Sequence, residues 1–123
     1  MNYKLSVVGY FSAAHCLKNY KGKCESLHGH NWKVKLSFLG TKLDNVGMLI
    51  DFSDAKKHMY KIITCFDHKF LNETKPFDKI NPTVENIASF IFEQLKKNIT
   101  LEHIKIYKVE VWENKYSSVS VYI

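Results

Sequence analysis

At 123 residues, with 46% apolar and 14% aromatic side chains and only 2 prolines, the chain has the size of one folded unit and too much core-forming surface to be disordered. Eighteen Lys and Arg against 12 Asp and Glu leave a formal charge of +6, which suits an anionic partner. The lysines are nevertheless scattered and form no run of the nucleic-acid-binding kind, and no apolar stretch is long enough to span a bilayer.

From Tyr3 to His15 the odd positions Leu5, Val7, Phe11 and Ala13 are apolar, the period of a strand with one buried face, and His15 continues that face. A second strand places His28, His30, Trp32, Val34, Leu36 and Phe38 in alternation with Asn31, Lys33, Lys35 and Ser37, so both histidines point to its buried side. Ala55, Met59, Ile62, Ile63 and Phe66 recur at helical spacing, predicting a helix from about Ser53, its N-cap, to Cys65. Asn81 before Pro82 predicts the cap of a second helix, roughly Pro82 to Lys97, with Val84, Ile87, Ala88, Ile91 and Leu95 as its stripe. Glu102 to Glu113 reads as a strand whose alternation slips near Ile106 and Tyr107, the mark of a bulge or of two covered faces. A last strand covers Ser118 to Ile123. This order predicts an α+β layer, a four-stranded antiparallel sheet with two helices on one face, forming a single domain over residues 1–123. Its open edges call for cover, and further subunits are one way to supply it.

Pairing of the first two strands brings His15 opposite His28 and His30, and three neutral imidazole nitrogens meeting at one point are the ligand set of a catalytic zinc with an open position. Cys24 precedes His28 by four residues in a loop between Lys23 and Glu25, where a positive field favours thiolate. An isolated thiol is most often a small buried apolar residue; in this setting Cys24 is read as a base near the substrate, with metal coordination as a second option, and Cys16 and Cys65 are read as structural. Asp67 and His68 follow the first helix, as a helix-end pair or, with the thiol, as a proton relay. Glu113 falls in phase with Val109 and Val111, so either the strand has ended and it is solvated, or a ligand with adjacent N–H donors satisfies it. Three cysteines cannot all pair and no leader-like pattern opens the chain, which predicts a reducing, cytoplasmic location.

As a set these residues resemble the 6-pyruvoyltetrahydropterin synthase and 6-carboxytetrahydropterin synthase family. The resemblance runs through Phe11 to His15, the C-x-x-x-H-G-H of Cys24 to His30, Leu49 to Phe52, Asp67-His68 with Leu71-Asn72, Asn81-Pro82-Thr83 with Glu85-Asn86, and Val111-Trp112-Glu113. It implies the T-fold, in which subunits join their sheets into a barrel, commonly as homo-hexamers with active sites at interfaces. It further implies zinc on His15, His28 and His30, a catalytic Cys24 assisted by Asp67 and His68, and Glu113 anchoring a pterin ring with help from Thr83 and Glu85. The substrate it implies is 7,8-dihydroneopterin triphosphate. The three-residue gap between Cys24 and His28 resembles the branch that forms 6-carboxytetrahydropterin for queuosine synthesis. The pyruvoyl-forming branch is the alternative, and Glu25 beside Cys24 resembles dual-purpose relatives that also make 6-hydroxymethyl-dihydropterin. Asn114 departs from the threonine common after the anchoring glutamate.

Two other classes compete. Three histidines and Cys24 could close a structural zinc site in a non-catalytic binding module. An RNA-binding domain would need aromatics on an exposed face, and here they are mostly in core phase.

Overall fold

The structure, a computed structural model, describes residues 1–18 and 26–123, so Cys24 and Glu25 lie outside the described residues. In chain order the elements are β1 (Tyr3–His15), β2 (His28–Gly40), α1 (Phe52–Ile63), β3 (Lys69–Phe70), a 3₁₀ turn (Leu71–Glu73), α2 (Val84–Asn98), β4 (Ile104–Trp112) and β5 (Ser118–Tyr122).

The sheet order is β3-β1-β2-β4-β5. The expected four antiparallel strands are present, but the sheet has five: β3 runs parallel to β1, with Ala13 opposite Lys69 and Ala14 opposite Phe70. A strand of two residues has no periodicity to read; the chain turning back along β1 after α1 creates it. The expected irregularity in β4 is a bulge: Ser37 faces Lys108 while Phe38 faces Ile106, leaving Tyr107 as the extra residue.

Alternation decides which face is covered. Val7, Phe11 and Ala13 of β1, Trp32, Val34 and Leu36 of β2, and Val109 and Val111 of β4 are buried beneath α1 and α2, which contribute Ala55, Met59, Ile63, Ile87, Ile91 and Leu95. Phe11 and Trp32, opposite one another in register, stack with ring centroids 5.7 Å apart. A methyl group at Gly9 would lie 2.5 Å from the Met59 side chain, so the absent Cβ sets how closely α1 approaches β1. The other face carries Ser12, Asn31, Lys33, Lys35 and Glu110 and is polar.

Both helix starts differ from expectation. Asp51, not Ser53, caps α1, accepting from the Ser53 N–H at 2.8 Å. Thr83, not Asn81, caps α2, accepting from the Asn86 N–H at 3.1 Å. Asn81 is engaged elsewhere: its side chain clamps both the N–H and the carbonyl of Lys18.

Candidate metal centre and its surroundings

The β1–β2 register fixes the histidines. His15 stands directly opposite His28, and Ala13 opposite His30, so the three side chains share the helix-side face at one end of the sheet. Ring centroids are 4.6 Å apart for His15–His28 and His28–His30 and 5.7 Å for His15–His30. His15 is fully buried and meets the edge of Trp32, whose Nε1 donates to the Ala13 carbonyl at 3.1 Å.

Backbone carbonyls set the tautomers. Nδ1 of His15 lies 2.8 Å from the Pro82 carbonyl and Nδ1 of His28 lies 2.8 Å from the Ser26 carbonyl. A carbonyl only accepts, so both Nδ1 atoms carry the proton, and each ring in its neutral form presents an Nε2 lone pair. Those two Nε2 atoms face each other at 3.0 Å. Glu113 adds two more acceptors, Oε2 at 3.5 Å from His15 Nε2 and Oε1 at 3.3 Å from His30 Nε2. One ligand atom from each of the four residues lies within 4.8 Å of the others. Lone pairs gathered this closely repel unless protons or a cation lie between them, and imidazole with carboxylate is a donor set suited to zinc. The residues therefore fit the expected metal.

Glu113 reaches the cluster because Val111 opposes Val34 on the covered face and a step of two returns to it. Its N–H donates to the Ser117 carbonyl at 3.2 Å, fixing the turn into β5. Beside it opens a recess of about 600 Å³, where β2 runs on past the end of β4; His30, Glu113, Asn31, Lys33, Trp112 and Lys115 are among its lining. Lys33 Nζ sits 4.6 Å from the Trp112 ring centroid.

Asp67 and His68 occupy a different place. Asp67 Oδ1 accepts from the Ser12 N–H at 2.9 Å, and His68 donates its own N–H to the Ser12 carbonyl at 2.6 Å, with φ 59° in the left-handed region. The side chains pair at 3.2 Å, His68 Nδ1 to Asp67 Oδ2, with His68 82% exposed. The Ser12 N–H holds the Asp67 carboxyl below the usual carboxylate range. His68 borders a recess of about 500 Å³ whose lining includes Ser12, Ala14, Gly29 and Asn31 of the polar face together with His30 of the cluster; the group of converging ligand atoms itself comprises His15, His28, His30 and Glu113, without the pair. Thr83 spends its hydroxyl on the α2 cap, and Glu85 is exposed in the first turn. Cys65, read as structural, is exposed. The supports are not legible in the sequence: the Pro82 and Ser26 carbonyls, and Asn72, which bonds both the N–H and the carbonyl of Cys16 at 2.9 and 2.7 Å. The Asn-Pro and Leu-Asn pairs were visible, but their partners lie more than fifty residues away.

A one-sided α+β layer with a candidate metal centre at one end of its sheet is the build of a T-fold enzyme. The family model for 6-pyruvoyl tetrahydropterin synthase matches residues 4–122. A 6-carboxy-5,6,7,8-tetrahydropterin synthase of Haemophilus influenzae is 33% identical, covering 94% of this chain and 95% of that one. The human 6-pyruvoyl tetrahydrobiopterin synthase is 36% identical, covering 84% of this chain and 79% of its own. The solved 6-pyruvoyl tetrahydropterin synthase of Caenorhabditis elegans superposes with a TM-score of 0.86 at 29% identity, covering 99% of this chain and 96% of that chain. The chain belongs to the 6-pyruvoyl tetrahydropterin synthase family, and is an enzyme of that lyase type. That removes the non-catalytic module from consideration. No helix among the described residues is long and apolar enough to cross a membrane.

Proposed function

We propose that the chain is a zinc-dependent 6-carboxy-5,6,7,8-tetrahydropterin synthase, converting 7,8-dihydroneopterin triphosphate to 6-carboxytetrahydropterin, acetaldehyde and triphosphate. The observation that carries this reading is the pair of carbonyl-locked imidazoles, His15 and His28, presenting Nε2 lone pairs to one point beside His30. The carboxy branch is favoured by the Cys24 to His28 spacing and by curated relatives of that name, although relatives named for the pyruvoyl product also match.

Zinc, when bound, supplies a Lewis acid for the side-chain hydroxyls of the substrate. The protein's residues divide the remaining work. Cys24 removes a proton as thiolate; Asp67 orients His68, which returns one. Glu113 receives the N–H edge of the pterin as a bidentate acceptor, with Thr83 and Glu85 near the ring. Lys33 and Lys115 give the neighbouring recess a positive lining suited to a triphosphate tail.

Because the His68 imidazole is solvent-exposed and stands outside the histidine–glutamate group, the relay is completed by a second copy, so the working unit is a homo-oligomer, read as a hexamer. In support, the outer edges of β5 and of β1 from Tyr3 to Ser12 carry no strand partner among the described residues. A cytoplasmic location and a single domain over residues 1–123 complete the reading. Incubating zinc-loaded protein with dihydroneopterin triphosphate and weighing the product tests it: the carboxy mass is expected, with a minor hydroxymethyl mass if Glu25 acts. No turnover of any dihydropterin would overturn the reading.

A further inference from the structure

We infer that Glu113 is a displaceable fourth metal ligand: it closes the coordination shell while the site is free of substrate and releases the metal to grip the arriving N–H edge. The inference rests on the reading that the three imidazoles hold zinc.

Zinc–ligand bonds of 2.0–2.1 Å in a tetrahedron place the ligand atoms about 3.3–3.4 Å apart, by simple geometry. The observed edges are 3.0 Å for His15–His28, 3.5 Å for His15–Glu113 and 3.3 Å for His30–Glu113. The carboxylate thus reaches two of the imidazoles, one with each oxygen, at close to ligand–ligand spacing, and one ligand atom from each of the four residues falls within 4.8 Å of the others. Its placement there is not enforced by a lysine: among the described residues its ion-pair contacts are with His15 and His30.

The two roles exclude one another. A bidentate grip on adjacent N–H donors uses both carboxylate oxygens, and these are the oxygens now turned toward the imidazoles. Glu113 is 26% exposed and also lines the recess of about 600 Å³, so rotation of its side chain leads directly from the cluster into ligand space. Its backbone, held in the turn by Ser117, need not move. The consequence is a coupling: the metal's open position appears when a molecule with both an N–H edge and hydroxyl groups is present to exchange for the carboxylate. A compound bearing hydroxyls alone meets a closed shell.

Cobalt-loaded protein reads this without turnover, because its visible absorption follows coordination. Loss of the carboxylate in Glu113→Gln is expected to weaken cobalt affinity by roughly ten- to a hundredfold in competition with a chromophoric chelator, and to change the ligand-free spectrum. Adding 7,8-dihydroneopterin is expected to shift the wild-type spectrum, with glycerol leaving it unchanged. Glu113→Asp, which keeps the charge on a shorter arm, is expected to show the same loss of affinity and serves if the Gln variant does not fold. Identical affinity and spectra for wild type and both variants would overturn the inference. So would a thiolate-to-cobalt band that Cys24→Ser abolishes while Glu113→Gln leaves the spectrum intact. In either case, turnover of dihydroneopterin triphosphate by the zinc-loaded wild type would leave the proposed function standing, whereas absence of turnover would remove that reading separately.

Discussion

The histidine cluster and the Asp67–His68 pair are held by opposite strategies. The first is built on the register of two thirteen-residue strands, with His15 buried against Trp32 and both His15 and His28 locked by main-chain carbonyls. The second sits in the turn between α1 and β3, tied to β1 only at Ser12, with its imidazole in solvent. A ligand set must be fixed before the ion arrives, so rigidity and dry surroundings serve it. The Asp67–His68 side chains face outward, so whatever they act on approaches from outside the chain's own core.

The contrast can be broken from either side. Largest in effect is His28→Ala, expected to remove the metal and abolish turnover together, measured by metal content after dialysis alongside activity. His68→Ala is expected to keep full metal content and the wild-type Tm while turnover falls by roughly 10²–10⁴-fold. Metal loss in this variant would merge the two regions into one. Asn72→Ala, which frees both backbone groups of Cys16, is expected to destabilise by about 1–3 kcal/mol in urea unfolding. Thr83→Ala removes the α2 cap next to the Pro82 carbonyl that orients His15, and about 1 kcal/mol of stability with it. The smallest effect concerns acid. A carboxyl lowered by folding stabilises the native state above its unfolded pKa and loses that contribution as pH falls through the folded one. Asp67→Asn is therefore expected to flatten the acid side of the stability profile, read by unfolding midpoints at decreasing pH.

Much of this was legible in the chain because period-2 patterning is local. β1 is found from Tyr3 to His15 as expected, and the same alternation that placed Val109 and Val111 inward carried Glu113 to the cluster. Two things escaped for physical reasons. Caps compete among neighbouring oxygens: Asp51 and Ser53, or Asn81 and Thr83, have similar intrinsic preference, and tertiary bonds such as Asn81 to Lys18 decided the second case. The separation of His68 from the histidines depends on where the chain lands after α1, which a two-residue strand decides without leaving a pattern.

Whether three imidazoles from β1 and β2 share one zinc ion is read directly by X-ray absorption at the zinc edge of the loaded protein. The expected first shell has three imidazole nitrogens at about 2.0–2.1 Å. A shell with fewer than three imidazoles, or a protein that retains no zinc, would contradict it.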